Sequence, residues 1–356
     1  MLMAIRLARR GVNRPSREPL VGAVVTAGDR IVGRGFANEP RSVPAIIAAL
    51  DDSGELASGA TVYTNIESGG SGDDEACVRR LIESRVARLV IGITRGDSRA
   101  SESILNRLRS ARIEVETGVC EEACRQVNEK YLKYSATGLP FVTLKFAQSI
   151  DGRIATATGE SQWITGPAAR RFAHKLRREH DAVMVGIGTV LSDDPQLTVR
   201  LAKGRDPLRI IVDGNLRTPL TARVLADGAA SNTLIVTGES ADVRRATEIE
   251  RLGSEVLRLP RSSRSHSGVS LARLFEELGR RGIASVLVEG GKRINTSLLN
   301  ARAVDRLVAI IAPKIIGQGT EAIGDLGIAR LDDVITFASL KTSRLGPDIV
   351  FDGRLK

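Results

Sequence analysis

Short apolar strands and amphipathic helical stretches alternate along the whole of this chain, and that alternation confines it to layered α/β architectures. In the first part, residues 3–11 suit a helix, and Val21–Val25 with Arg30–Phe36 suit a hairpin about the turn at 27–29. Pro44–Leu50 is helical and Thr61–Ile66 a strand. Asp73–Glu83 is a helix whose acidic first turn complements the helix dipole. Ala87–Ile93 suits a buried strand, 101–111 a helix, Ile113–Thr117 a strand and Glu121–Ser135 a helix. The pattern breaks at 136–140, where Gly138 ends a helix and Pro140 precedes a strand. A second α/β series then begins, with strands at Phe141–Ala147, Ala182–Gly186, Leu208–Asp213, Thr233–Thr237, Glu255–Leu259, Val286–Glu289 and Arg306–Ala312. Its helices fall at 167–179, 241–252, 270–280 and 293–301, Arg261–Ser267 is a polar loop, and two strands near 333–338 and 348–352 close the chain. With 356 residues and about 150 per domain, two domains are expected, 1–138 and 139–356.

Composition narrows the partners. No apolar run approaches the roughly 18 residues of a membrane span, and the apolar start lacks the unbroken core of a secretory signal. Three cysteines do not make a disulfide framework, so a reducing cytoplasm is expected. The net charge is +10. Residues 1–138 carry 20 basic and 18 acidic side chains, whereas 139–356 carry 32 and 24. The basic excess of the second part attracts anions. Aromatic residues are only 3% of the chain, too few for the stacking platforms of single-stranded nucleic acid. Small phosphate-bearing ligands are the expected partners, and neither nucleic acid nor membrane.

Three segments of the second part hold candidate chemistry. The strand carrying Lys145 runs into a polar, glycine-bearing stretch with the sole tryptophan, Trp163, although such lysines are usually surface residues and a sole tryptophan usually core. The strand Ala182–Gly186 runs into Gly186-Ile187-Gly188-Thr189, where backbone amides can approach a phosphate; the third glycine of the dinucleotide fingerprint is absent, and such turns are mostly structural. The strand 286–289 ends in Glu289-Gly290-Gly291 and meets a helix with Lys292 and Arg293 in its first turn. Those cations oppose the helix dipole by roughly 0.3–1 kcal/mol each, a penalty that a bound phosphate would reverse. A plain strand–helix turn is the alternative.

Taken in order, Leu144–Arg153, Gly159–Thr165, Gly186–Arg200, Val288–Gly291 and Ala312–Gly317 closely resemble the reductase domain of the bifunctional riboflavin-biosynthesis deaminase/reductase family. The resemblance implies a dihydrofolate-reductase-like domain that uses NADPH. The family reaction reduces the ribosyl group of 5-amino-6-(5-phosphoribosylamino)uracil to a ribityl group. It further implies NADPH contacts at Ala147, Trp163, Thr189, Asp193 and the turn Gly290, Gly291, Lys292, Arg293, Ile294, Asn295, Thr296, Ser297. Substrate contacts are implied at Ser161, Arg177, Arg200 and Glu289, with the two arginines on the 5′-phosphate. The family usually has an uncharged pair where Lys292 and Arg293 stand, and often a serine where Gly214 stands.

The resemblance extends into the first part through Ala4–Gly11, Pro19–Val25, Gly59–Tyr63 and Leu81–Val90, and implies a cytidine-deaminase-like fold there. Zinc deaminases need a His, two Cys and a proton-shuttling Glu. Where the family has His-Ala-Glu, this chain has Pro44-Ala45-Ile46; where it has Glu-Pro-Cys, this chain has Glu67-Ser68-Gly69, in a loop one residue shorter. Of the ligand set Cys77 alone stays, all three histidines lie beyond residue 138, and Cys120 and Cys124 read as buried or partly buried thiols. The expectation is a deaminase-like domain without zinc or deaminase activity, served by a separate deaminase and kept to support the reductase or a homo-oligomer. Lys145, Glu289 and Asp151 are candidate proton donors, Lys145 foremost, with Glu289 also suited to hold substrate and Asp151 to cap the turn before Gly152. Two alternatives are a paralogue reducing another phosphoribosylated or pteridine-like substrate, and a non-catalytic scaffold.

Overall fold

The structure is a computed structural model that describes all residues except 12–14, 38–41, 68–72, 96–98, 227, 229 and 262–267. It divides into two compact units, Met1–Thr137 and Gly138–Lys356. The expected positions Ser68 and Gly69, and most of the expected polar loop 261–267, lie outside the described residues.

In the first unit five strands form one sheet: β1 (Gly22–Ala27), β2 (Arg30–Phe36), β3 (Thr61–Ile66), β4 (Arg88–Ile93) and β5 (Glu114–Thr117), in the order β2-β1-β3-β4-β5. The hairpin β1–β2 is antiparallel and closes through Gly28, whose φ of +56° lies in the left-handed region that glycine enters without strain. The pairs β3–β4 and β4–β5 are parallel. Helix Ala45–Ser53 buries Ile46, Ala49 and Leu50 against this sheet, and helix Asp73–Glu83 buries Cys77, Val78 and Leu81. The helix expected at 121–135 is two, Glu121–Val127 and Glu129–Thr137. Buried Asn128 interrupts it: its Oδ1 accepts from the Leu20 amide at 2.7 Å and its Nδ2 donates to the Leu20 carbonyl at 3.2 Å. An Asx side chain has satisfied backbone groups of a distant segment instead of yielding to helical periodicity.

The second unit is a nine-stranded sheet among the described residues. Its strands are β6 (Phe141–Ser149), β8 (Ala182–Gly186), β9 (Leu208–Val212), β10 (Thr233–Gly238), β11 (Glu255–Leu259), β12 (Ser285–Val288), β13 (Arg306–Ala312), β15 (Phe337–Leu345) and β16 (Asp348–Leu355). The order is β11-β10-β9-β8-β12-β6-β13-β16-β15. The seven strands from β11 to β13 in that order are mutually parallel, and β16 and β15 close the edge antiparallel. A small pair, β7 (Arg153–Thr156) with β14 (Gly319–Glu321), stands apart from it, and sequence periodicity did not reveal it because both strands are so short.

Helices cover both faces, as a parallel sheet requires. Leu271–Arg280 and Lys292–Asn300 bury Leu274, Phe275, Leu278, Ile294 and Leu298 on the face that carries Leu144 and Val288. Pro167–Arg178 buries Ala169 and Leu176 on the other face, with Val183, Val185 and Leu287. Each such aliphatic side chain withdrawn from water contributes about 1.5–3 kcal/mol. The chain leaves β6, builds outward to β11, then returns to place β12 between β8 and β6. Such a reversal in strand order, here beside the carboxyl ends of β8, β12 and β6, is where open α/β sheets bind ligands. Among the described residues no helix is long and apolar enough to cross a membrane.

Candidate active site

Parallel register places Val288 beside both Leu144 and Met184. Glu289, one residue past β12, is therefore level with Lys145 of β6, and its amide donates to the Met184 carbonyl at 3.0 Å. Strand alternation turns Lys145, Ala147 and Glu289 to the face covered by helix Pro167–Arg178, while Leu144 and Phe146 enter the opposite core. Lys145 Nζ lies 3.7 Å from Glu289 Oε2. Arg177, on that helix, donates from Nε to Oε1 at 2.5 Å and from Nη2 to Oε2 at 3.1 Å, a bidentate grip. Its Nη1 donates to the Thr198 carbonyl at 3.0 Å. All three charged side chains are only 12–13% exposed.

The balance of burial and charge differs among the three. Burial disfavours the Glu289 carboxylate, but Arg177 and then Lys145 outweigh it and hold the group down at about 2. Burial is the foremost influence on Lys145 and lowers it; Glu289 opposes the fall and Arg177 adds to it. Burial also works against Arg177, yet Glu289 more than offsets it. The cluster is a fixed carboxylate between a permanent cation and an ammonium whose proton is loosened.

Asp151 stands apart from this cluster. It accepts from Ser149 Oγ at 2.5 Å, the Ile316 amide at 3.1 Å and the Gly317 amide at 2.6 Å, and the Ser149 bond first, then the amides, depress it to about 2. A carboxylate so committed is a loop tie. Its acceptors are taken up by Ser149 and by the amides of Ile316 and Gly317.

The remaining expected residues fall into three groups. Ser161 and Asp193, assigned to different ligands, meet: Ser161 Oγ donates to Asp193 Oδ1 at 3.0 Å. Trp163 is 59% exposed and lies beneath the Arg170 guanidinium, 4.4 Å from its ring centre, so the sole tryptophan is not core. The turn after β12 abuts the helix after β8, since a Cβ on Gly291 would lie 4.0 Å from Thr189 Oγ1, while Gly186 and Gly188 face open space. No side chain caps helix Lys292–Asn300 at Gly291, so its first amides are open.

Inside that helix the side chains of Ile294, Asn295, Thr296 and Ser297 are buried. Ile294 packs in the core, Asn295 donates to the Ala322 carbonyl, and Thr296 and Ser297 donate one turn back to Lys292 and Arg293. Helical periodicity turns these four inward, which leaves Gly290 to Arg293 as the accessible part of the expected contact segment. Lys292 pairs with Glu321 at 2.7 Å instead of standing free for a phosphate. Arg293 is exposed. Arg178 lays its stem over Gly204 and donates to the Lys203 carbonyl at 3.3 Å.

Sequence reasoning passed over His174. Its Nδ1 accepts from the Arg200 amide at 3.0 Å, and its place three residues before Arg177 on one helix face is the signal that would have found it.

In the first unit the positions of the expected deaminase centre do meet, but as packing. Ile46, 1% exposed, and Cys77, 2% exposed, line a cavity of about 20 Å³ with Val78, Leu81, Leu89, Ile91, Leu105 and Leu108. Pro44 occupies the N-cap of the helix that carries Ile46. Glu67, also on this cavity, accepts from the Arg95 amide at 3.2 Å and Ser101 Oγ at 2.7 Å. Cys124 packs on Gly92, where a Cβ would come 2.3 Å from its sulfur, and burial pushes its thiol up to about 11. Cys120 is exposed, unlike the buried or partly buried thiol expected.

Known proteins match this architecture throughout. The RibD C-terminal domain family matches residues 140–351. The riboflavin biosynthesis protein RibD of Aquifex aeolicus is 39% identical over 98% of this chain and 96% of its own length. The solved structure of RibD from Acinetobacter baumannii has a TM-score of 0.83 at 30% identity and covers 100% of this chain and 97% of that one. The Thermotoga maritima diaminohydroxyphosphoribosylaminopyrimidine deaminase/5-amino-6-(5-phosphoribosylamino)uracil reductase has a TM-score of 0.79 at 28% identity, with coverage of 99% and 97%. The first unit thus has the cytidine-deaminase-like fold and the second the dihydrofolate-reductase-like fold. On the family match and on identity that spans nearly its whole length, the chain belongs to the RibD family of riboflavin biosynthesis proteins.

Proposed function

We propose that this protein is the NADPH-dependent reductase that converts the ribosyl group of 5-amino-6-(5-phosphoribosylamino)uracil to ribityl, and that its first unit has no deaminase activity. The observation that carries the reductase reading is the Lys145–Glu289–Arg177 cluster at the carboxyl ends of β6 and β12. The residues there fit a nicotinamide cofactor: the glycine turns after β8 and β12 stand side by side, and no side chain caps the helix at Gly291. When bound, NADPH supplies the hydride.

The chain's own residues do the rest. Arg177 holds Glu289 ionised and in one orientation, leaving its outer lone pairs for the substrate's hydroxyls or ring nitrogen. Lys145 donates a proton to the ribose ring oxygen as the N-glycoside opens to an imine at C1′, which is the electrophile that the closed ring lacks. Arg200, with its guanidinium partly exposed, takes the 5′-phosphate. Arg177 has three of its five donors committed, so its role is to orient Glu289 and the Thr198 carbonyl more than to bind phosphate. Positioning of two reactants contributes more than proton transfer in such a reaction.

The loss of deamination rests on what fills the first unit. Proline and isoleucine stand where a zinc deaminase has its histidine and glutamate, and Ile46 is one wall of a cavity of about 20 Å³, room for about one water. A separate deaminase then provides the substrate. The test is spectrophotometric: purified protein consumes NADPH with the deaminated substrate, and releases no ammonia from the diaminopyrimidine precursor. Absence of NADPH consumption would overturn the reductase reading, and ammonia release the other.

A further inference from the structure

His174 is one of three histidines in the chain, only 6% exposed, and it stands between the catalytic cluster and the segment that ends in Arg200. Two side chains of one helix hold that segment. Arg177 donates to the Thr198 carbonyl at 3.0 Å, and His174 Nδ1 accepts the Arg200 amide at 3.0 Å. Segment 194–200 has little regular structure of its own, and Asp194 and Leu197 both adopt positive φ, 38° and 57°. Its conformation therefore depends on such ties. A ring that accepts at Nδ1 must be neutral, with its one proton on Nε2. Burial, then the nearby positive charges of Arg177 and Arg200, push His174 down to about 4, with Glu289 opposing, so the accepting form prevails at neutral pH.

We infer that His174 is a positioning residue for the substrate's phosphate: its imidazole clasps the Arg200 backbone so that the Arg200 guanidinium is held at the site instead of swinging with a loose loop. The inference rests on the functional reading above, because it takes a 5′-phosphorylated sugar as the ligand. Among the described residues the Arg200 guanidinium makes local bonds, to Gln196 Oε1 and to Thr198 Oγ1 at 3.3 Å, so a phosphate dianion would replace neutral partners. The residue acts through the backbone of another and touches no reacting atom. Its loss should appear in affinity for the phosphorylated ligand and not in the chemical step.

The experiment compares the full-length protein with His174→Ala, His174→Asn and Arg200→Ala, each first checked for a cooperative thermal transition. Asparagine carries its Oδ1 near the place of Nδ1 and keeps the acceptor. Calorimetry with ribose 5-phosphate and with ribose separates the phosphate from the sugar. The expected result is that His174→Ala weakens ribose 5-phosphate about fivefold to thirtyfold, leaves ribose unchanged, and adds little on top of Arg200→Ala, while His174→Asn stays within about twofold of the native protein. In turnover, KM rises in His174→Ala with kcat nearly constant. Equal loss for ribose and ribose 5-phosphate, or no loss at all, would overturn the inference, as would failure of asparagine to rescue. If the native protein binds ribose 5-phosphate in this His174-dependent way but consumes no NADPH, the functional reading falls and the clasp stands.

Discussion

Two places in this molecule invite comparison: the one around Ile46, Glu67 and Cys77 in the first unit, and the one around Lys145, Glu289 and Arg177 in the second. Each lies beside a sheet with helices packed over it, and each contains a buried glutamate. In the first, the glutamate is bonded to protein groups, Arg95 and Ser101, and mostly aliphatic side chains, with Thr64, Asp74 and Cys77, line the rest. In the second, the glutamate is gripped from one side by a guanidinium and flanked by an ammonium, and an added Cβ on Gly186 or Gly188 in the turn after β8 would meet nothing within 4 Å. Burying charge costs free energy that only good pairing recovers, whereas an apolar filling adds stability at once.

The comparison can be broken or sharpened by experiment, starting with the largest effect. Glu289→Gln leaves the buried Arg177 and Lys145 charges uncompensated, and should cost about 3–5 kcal/mol in denaturant unfolding and abolish NADPH consumption; a variant with native stability and rate would show the cluster to be incidental. Lys145→Met should lower kcat roughly 10²–10⁴-fold while NADPH affinity, followed by fluorescence, changes little. Because burial lowers Lys145, the native rate should fall on the alkaline side before the ordinary lysine range, as the ammonium loses its proton, and Lys145→Arg should move that limb to higher pH. Gly290→Ala would force a methyl to within 2.0 Å of Ile294 Cγ2 and 2.6 Å of Asn295 Oδ1, and should cost about 1–3 kcal/mol with weaker NADPH binding. Smallest of all, a strong chelator should leave the reductase rate unchanged; a drop would assign a metal a part in the protein.

Much of the fold was legible because the second unit's core strands are continuous apolar runs, a signal that survives without knowledge of neighbours. The break at Asn128 and the pair β7–β14 were not, since the one depends on the distant Leu20 backbone and the other on strands too short to show a period. The candidate site was legible in part. Lys145 and Glu289 stand at strand ends followed by glycine or polar turns, and motif order marked both. That Lys292 answers Glu321, or that Asp151 ties a loop across more than 160 residues of sequence, depends on contacts that no local pattern encodes.

By itself the amino-acid order determined that the chain alternates strand and helix, that its basic excess lies in the second part, and that proline and isoleucine stand where a metal ligand and a proton carrier would be needed. Side-chain chemistry and periodicity are properties of the covalent chain, so they are readable before it folds. Only the tertiary structure decided which carboxylate sits between Lys145 and Arg177, how far each is withdrawn from water, and that His174 reaches the backbone of Arg200. Proton affinity and orientation follow from the distances and burial that packing alone creates.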